Sequence, residues 1–127
     1  MKIKKIMIVD DDNEYTDEME ELLTRRDFEI IKKNNTDDIL NFIKKNKPDL
    51  IILDLKINGK TGIDVAKLVK NDPKTNGLPI ILLTNYYNGF DSDYIEDKIK
   101  SGINICLKKS IKPEVLIAEI KKIETDL

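Results

Sequence analysis

The sequence predicts an α/β protein with a doubly wound, five-stranded parallel sheet and five helices. Short runs of buried, mostly β-branched residues recur along the chain, and longer stretches with apolar residues at helical spacing separate them. This alternation favours parallel strands joined by right-handed helical crossovers, with helices on both faces of the sheet. A length of 127 residues suits one domain, so a single domain over residues 1–127 is expected.

The period of the apolar pattern locates each strand and helix. We expect the strands at about residues 5–9, 28–32, 49–53, 79–83 and 103–107. The helical patterns cover residues 15–23, 39–43, 63–69, 94–99 and 115–123.

Local signals mark where helices begin and where the chain turns. Thr36 before two aspartates predicts one helix start, and Pro113 followed by Glu114 predicts the start of the last helix. Asp12 is expected to cap the first helix, because a carboxylate there accepts backbone N–H groups. Asn-Gly pairs predict turns at residues 58–59, 76–77 and 88–89.

Composition excludes several function classes. The chain has no histidine, so His-based triads and metal sites are excluded. Its single cysteine, Cys106, allows no intrachain disulfide and is expected to be buried as a small hydrophobe. A formal net charge of -2 with scattered lysines does not favour nucleic acid or an anionic membrane as a partner. No stretch has the length of a membrane span or the core of a signal peptide, so a cytoplasmic protein is expected.

Polar residues follow the predicted strands at their carboxyl ends. Asp10 and Asp11 follow the first strand, Asp54 follows the third, and Thr84 follows the fourth. Either Lys108 or Lys109 follows the fifth, and the other of the two is expected on the surface, because neighbouring strand residues face opposite ways. The carboxyl ends of parallel strands meet at one edge of the sheet, where open α/β folds bind their ligands.

This set of side chains suits phosphoryl chemistry. Clustered carboxylates are costly without a cation, and oxygen ligands with open positions suit Mg²⁺. A carboxylate beside such an ion can attack phosphorus and form an aspartyl phosphate. A neighbouring hydroxyl and ammonium would then bind the phosphoryl oxygens.

Taken in order, these residues resemble the receiver domain of two-component response regulators over about residues 4–125. The resemblance is carried by Gly59, Gly62 and residues 9–12, 48–55, 79–84 and 102–109. It implies a flavodoxin-like (βα)5 fold with strand order 2-1-3-4-5. No output domain is visible in the chain, so signalling through a partner is expected.

The resemblance also implies residue roles. Asp54 would be the phosphoacceptor, and Asp11 and Asp54 would ligate Mg²⁺ directly. Asp10 would act largely through water, and the backbone carbonyl of Lys56 would complete the protein ligands.

Two further roles concern the phosphoryl group itself. Thr84 would move onto this group, and Lys109 would pair with it. The donor would be a sensor histidine kinase or a histidine phosphotransfer protein, and the domain would catalyse its own phosphorylation and dephosphorylation. The output partner would bind at about residues 90–125, with no direct contact to nucleic acid or membrane.

Three departures from the family pattern predict differences. Ser110 replaces the usual proline after the lysine, and a cis bond before a non-proline residue costs ~2.5–4 kcal/mol, so a trans Lys109–Ser110 bond and a shifted loop are predicted. Cys106 stands where the aromatic switch residue is expected, and Tyr86 or Tyr87 is the predicted substitute. The longer segment 85–91 could extend over the site, and Lys56 with Tyr86 predicts slow self-dephosphorylation.

The main alternative is a small phosphatase of the haloacid dehalogenase type, with Asp10 as nucleophile. Residues 10–12 contain its Asp-x-Asp spacing, but Asp54 then has no role. An EF-hand is disfavoured because Tyr15 occupies the position that needs glycine. A flavin binder is disfavoured because the carboxylates would repel a phosphate.

Overall fold

The computed structural model describes residues 2–85 and 102–127, and within them it has one main sheet of five parallel strands. The strands in chain order are β1 (Lys5–Val9), β2 (Glu29–Lys33), β3 (Leu50–Leu53), β4 (Lys56–Ile57), β5 (Lys60–Thr61), β6 (Ile80–Thr84) and β7 (Ile105–Lys108). The helices are α1 (Asn13–Thr24), α2 (Ile39–Asn46), α3 (Gly62–Asn71) and α4 (Pro113–Asp126).

The main sheet has the order β2-β1-β3-β6-β7. The short strands β4 and β5 form a separate antiparallel pair, so the five main strands follow the predicted order 2-1-3-4-5. The predicted fold class is therefore confirmed. The helix predicted around residues 94–99 lies outside the described residues.

Helices cover both faces of the sheet because the central strands have runs of consecutive apolar residues. Every residue of β3 is buried, as are the last four of β1. Met7 and Ile51 pack into one core cluster with residues of α2 and α3. Ile8 and Ile52 pack into the other with residues of α1 and α4. Successive strand residues point to opposite faces, so burial at every position requires two layers of helix.

The helix starts agree with the sequence signals at α1 and α4 and differ at α2. The Asp12 side chain caps α1 by accepting a hydrogen bond from Tyr15 N–H at 3.1 Å, and Pro113 opens α4, as predicted. The expectation that Thr36 marks the start of α2 is wrong. Residues 37 and 38 form a turn first, and α2 follows Asp38, whose φ of 51° is left-handed and whose side chain makes no capping hydrogen bond.

A hairpin with a two-residue turn lies between β3 and α3. Asn58 and Gly59 have φ values of 50° and 79°, and the predicted turn at these residues is thus confirmed. Positive φ at both central positions is typical of the turn that joins two tightly paired strands. The flanking strands β4 and β5 are each two residues long, too short for a periodic signal in the sequence.

Cys106 is half-buried, and the prediction of a buried thiol is therefore only partly correct. It packs against the cluster that contains Met7 and Ile51. Its strand, β7, is the last in the order of the sheet, so among the described strands it has a paired neighbour on one side only.

None of the helices within residues 2–85 and 102–127 combines the length and the apolar content that a membrane span needs.

Candidate functional site

Three carboxylates converge at the carboxyl ends of β1 and β3. These strands are neighbours, with Val9 opposite Leu53, so Asp10 and Asp54 leave the sheet side by side. One carboxylate oxygen from each of Asp10, Asp11 and Asp54 lies within 4.8 Å of the others. Asp10 and Asp54 are buried, with 3% and 6% of their surface exposed, whereas Asp11 is exposed. The carboxylate cluster is therefore open to solvent on the side of Asp11.

Lys109 reaches the cluster from the end of β7. Its Nζ atom lies 2.6 Å from Oδ2 of Asp10 and 3.3 Å from Oδ2 of Asp54. The other lysine that the sequence offered, Lys108, is exposed. The peptide bond between Lys109 and Ser110 is trans, as predicted. A trans bond at this point still allows the ammonium to contact two carboxylates.

Backbone N–H groups hold each carboxylate in place. The donors are Asp12 to Asp10 at 3.0 Å, Leu55 to Asp54 at 2.8 Å, and Asn58 to Asp11 at 2.8 Å. Hydrogen bonds from N–H groups to ionised oxygens are among the stronger ones in proteins. One oxygen of each aspartate is therefore fixed by the backbone, which orients the second oxygen relative to the cluster.

Burial and charge act in opposite directions on the two ends of the Asp10–Lys109 ion pair. Burial raises the pKa of Asp10, and the charge of Asp54 adds to this effect, outweighing the hydrogen bonds from Lys109 and Asp12. Burial on its own would lower the pKa of Lys109, but the hydrogen bond to Asp10 and the charges of Asp10 and Asp54 raise it overall. Lys109 is thus held as a cation, and one ammonium beside three carboxylates leaves an excess of negative charge.

This excess fits a divalent cation. Carboxylate oxygens are the ligands that Mg²⁺ prefers, and Mg²⁺ keeps open positions for water and phosphate oxygens. The three aspartates offer one oxygen each within a shared space, and a cation there would offset the repulsion between them. The donor set therefore suits Mg²⁺.

Gly62 sets how closely the hairpin approaches the cluster. Its N–H donates to the carbonyl of Leu55 at 2.7 Å, which closes the hairpin onto the end of β3. A Cβ atom at this position would overlap the backbone carbonyl of Asp54. Only glycine therefore fits here without displacing Asp54.

Two residues at the site were not identified from the sequence. Asn58 donates its backbone N–H to Asp11, although the sequence indicated only a turn at this position. Tyr15 places its ring 4.5 Å from Nζ of Lys109, although its spacing indicated only an apolar helix position. The one sequence signal for the contact between Tyr15 and Lys109 is that Tyr15 follows the three aspartates within one helical turn.

The remaining predicted site residues are described in part. Thr84 ends β6 at the same edge of the sheet, opposite Lys108, but its side chain lies outside the described part of the structure. Lys56 opens β4 two residues after Asp54 and has an exposed side chain. Tyr86, Tyr87 and the loop segment from residue 86 to 91 lie outside the described residues.

The fold and this site together define a class of protein, and comparison with known families identifies it. Residues 6–121 match the response regulator receiver domain. The chain belongs to this family and is a phosphoacceptor receiver domain of the two-component signalling type. The family match gives no support to the phosphatase alternative.

Individual relatives agree with this assignment. The chain is 32% identical over 120 residues to the phosphate regulon transcriptional regulatory protein PhoB of Pseudomonas aeruginosa, covering 94% of this chain and 51% of PhoB. It is similar to a crystal structure of a putative response regulator from Chloroflexus aurantiacus, with a TM-score of 0.83, 30% identity and coverage of 96% and 98%. It is also similar to the BeF3-activated receiver domain of RstA from Klebsiella pneumoniae, with a TM-score of 0.80, 28% identity and coverage of 93% and 96%. The chain spans about half the length of the curated relatives it matches.

Proposed function

We propose that Asp54 is the phosphoacceptor and that residues 1–127 form one receiver domain. The observation that carries this proposal is the position of Asp54, buried at the carboxyl end of β3 with Lys109 Nζ 3.3 Å from Oδ2. Asp10 is less suited to attack. Each of the two carboxylates accepts a backbone N–H on Oδ1 and contacts Lys109 through Oδ2, but the ion pair is tighter at Asp10, 2.6 Å against 3.3 Å, which leaves Oδ2 of Asp54 the less engaged oxygen.

The proposed reaction transfers a phosphoryl group from a histidine to Asp54. An Asp54 carboxylate oxygen bonds to phosphorus while the bond between phosphorus and the imidazole nitrogen breaks. The electron pair stays on the imidazole, which takes up a proton. Lys109 stabilises the negative charge on the phosphoryl oxygens, and the side chain of Thr84 is proposed to bind one of them.

Asp10, Asp11 and Asp54 are proposed to hold Mg²⁺, with the backbone carbonyl of Lys56 as a further ligand. Bound Mg²⁺ would neutralise charge on the phosphoryl oxygens and orient them for transfer. Backbone N–H groups already hold one oxygen of each aspartate, which supports this assignment.

The donor is proposed to be a sensor histidine kinase or a histidine phosphotransfer protein in the cytoplasm. The output partner is proposed to bind at about residues 90–125. Tyr86 or Tyr87 is proposed to couple phosphorylation to that surface in place of an aromatic residue at Cys106.

The test of the phosphoacceptor is the intact mass of the protein after incubation with acetyl phosphate and Mg²⁺. The parent is expected to gain one phosphoryl group and Asp54→Asn to gain none. Asp49→Asn is a matched control, because Asp49 also accepts backbone N–H groups, from Lys4 and Lys5. Phosphorylation of Asp54→Asn to the level of the parent would refute the assignment.

Slow self-dephosphorylation is proposed from Lys56 and Tyr86, the residues two positions after Asp54 and Thr84. Lys56 is the first residue of β4, within the hairpin that closes onto the site, and its side chain is exposed. The decay of phosphorylated protein is expected to be faster in a Lys56→Ala, Tyr86→Ala double variant than in the parent. Equal rates would count against this proposal.

A further inference from the structure

Tyr15 places an aromatic ring against the ammonium group that faces the carboxylates. Nζ of Lys109 lies 4.5 Å from the ring centroid, within the distance of a cation–π interaction. The same atom contacts Asp10 and Asp54 at 2.6 and 3.3 Å. The ammonium is thus bounded by two carboxylates and by one aromatic ring.

Water is largely excluded from this contact. The side chain of Lys109 is 8% exposed and that of Asp10 is 3% exposed. A cation–π contact is stronger where the cation is desolvated, because water no longer competes for its charge. The cation–π contact between the Tyr15 ring and Lys109 is therefore of the desolvated, stronger kind.

The backbone around Lys109 fixes where its side chain begins but not where its ammonium lies. Lys109 and Ser110 form a turn after β7, and Ile111 N–H donates to the carbonyl of Lys108 at 3.2 Å. Ser110 is exposed, and unlike proline it does not restrict φ. The lysine side chain is a flexible stem of four carbons. The position of Nζ consequently depends on the groups that the ammonium touches.

Tyr15 is itself held in place. Its N–H donates to the capping carboxylate of Asp12 at 3.1 Å, which fixes the first turn of α1 beside the cluster. Its ring packs against the apolar core that contains Ile8 and Ile52. Its hydroxyl is buried and has no hydrogen-bond partner among the described residues. The ring is therefore the part of Tyr15 that contacts Lys109.

We propose that Tyr15 is a positioning residue for phosphoryl transfer, whose ring holds the ammonium of Lys109 where the phosphoryl group binds. This inference rests on the proposed function, since Lys109 is taken to pair with a phosphoryl group on Asp54. It assigns the effect to the ring and not to the hydroxyl. Phenylalanine at this position is accordingly sufficient, and an aliphatic residue is not.

The test is the affinity for beryllofluoride, a mimic of the phosphoryl group, measured by calorimetry with saturating Mg²⁺. Tyr15→Leu is expected to raise Kd about tenfold through the lost cation–π contact. Tyr15→Phe is expected to stay within about twofold of the parent, because the ring is retained. An unchanged Kd in Tyr15→Leu overturns the proposal, as does a loss in Tyr15→Phe equal to that in Tyr15→Leu.

Two controls separate positioning from a general effect on folding. Phe42→Leu removes a ring that also holds a lysine, with Lys33 Nζ at 4.7 Å, and it should leave Kd unchanged. In a Lys109→Met background, Tyr15→Leu should cause no further loss, because the two residues act together. A full tenfold loss in that background would overturn the proposal. Tyr15→Met replaces Tyr15→Leu if the latter does not fold.

Failure of the proposed function gives a different pattern. If the parent did not bind beryllofluoride, or if Asp54→Asn bound it as well as the parent, the phosphoacceptor assignment would be wrong. If the parent bound it and Asp54→Asn did not, an unchanged Kd in Tyr15→Leu would reject only the role of Tyr15.

Discussion

Two partly buried lysines differ in the groups that face them, and their pKa values shift in opposite directions. Lys109 contacts two carboxylates, and its pKa is raised. Lys70 donates to the backbone carbonyls of Asn76 and Leu78 at 3.1 and 2.5 Å, and burial lowers its pKa. A carboxylate supplies a full opposite charge, whereas a carbonyl supplies only a dipole. Burial of a lysine therefore does not by itself identify a functional site. The groups that contact its ammonium do.

The largest difference is expected when each lysine is replaced by methionine. Lys109→Met removes the cation beside the carboxylates and should weaken beryllofluoride binding by about a hundredfold, as loss of a buried charge-assisted contact does. Lys70→Met should leave that affinity unchanged. It should instead lower the free energy of unfolding by about 1 kcal/mol, because two carbonyls lose a donor. Calorimetry and urea unfolding measure the two effects, and similar losses of affinity in both variants would contradict the comparison.

The glycines beside these two regions provide the second test. A Cβ atom at Gly62 would overlap the backbone carbonyl of Asp54, which cannot move without displacing the proposed phosphoacceptor. Gly62→Ala should therefore lower the free energy of unfolding by about 1–3 kcal/mol, as overpacking does. It should also slow phosphorylation by acetyl phosphate. A variant with lower stability but an unchanged phosphorylation rate would show that Asp54 is not displaced.

A Cβ atom at Gly102 would meet the flexible side chain of Lys70, at 2.5–2.8 Å from its carbons. The lysine can move away, so the main cost of Gly102→Ala is its left-handed φ of +86°, about 1–2 kcal/mol. Urea unfolding should register this loss, while phosphorylation should proceed at the rate of the parent. Slower phosphorylation in Gly102→Ala would connect Lys70 to the site after all.

The smallest expected effect is on the pH dependence of stability near the ordinary lysine pKa of 10.5. The folded protein binds fewer protons at Lys70 than the unfolded chain does, so stability rises with pH as pH passes from the lowered pKa to 10.5. At Lys109 the folded protein binds more protons, so the stability that this group contributes is lost as pH rises through its raised pKa.

Urea unfolding at a series of pH values measures both slopes. Lys70→Met should remove the rise in stability with pH, and Lys109→Met should remove the loss of stability with pH. Slope changes of the same sign in the two variants would refute this assignment.

Much of the fold follows from local patterns along the chain. The buried runs that become β1 and β3 need helices on both faces, and together with the alternation of strand and helix patterns they predict the parallel sheet. Pro113 and Asp12 mark helix starts through backbone chemistry that does not depend on the rest of the fold. The prediction that α2 starts at Thr36 was wrong because a capping signal in the sequence cannot show that a turn precedes the helix.

The sequence predicted the carboxylate side of the site more fully than the side of the lysine. Asp10, Asp11 and Asp54 follow directly from strand ends, since parallel strands end at one edge. At the end of β7, the strand pattern left the choice between two adjacent lysines open by one residue, the family resemblance favoured Lys109, and the structure shows that Lys109 contacts the carboxylates. The contacts made by Tyr15 and Asn58 join segments far apart in sequence, and no local period encodes them.

The amino-acid sequence by itself determined the βα alternation, the carboxylates at the sheet edge and the trans bond before Ser110. These features depend on apolar period, strand direction and the energetics of one peptide bond. Only the tertiary structure decided that Lys109 lies against Asp10 and the Tyr15 ring, and that the hairpin closes on Asp54 through Gly62. Such distances depend on how α1, β7 and the hairpin pack at one edge, and packing is a property of the whole chain.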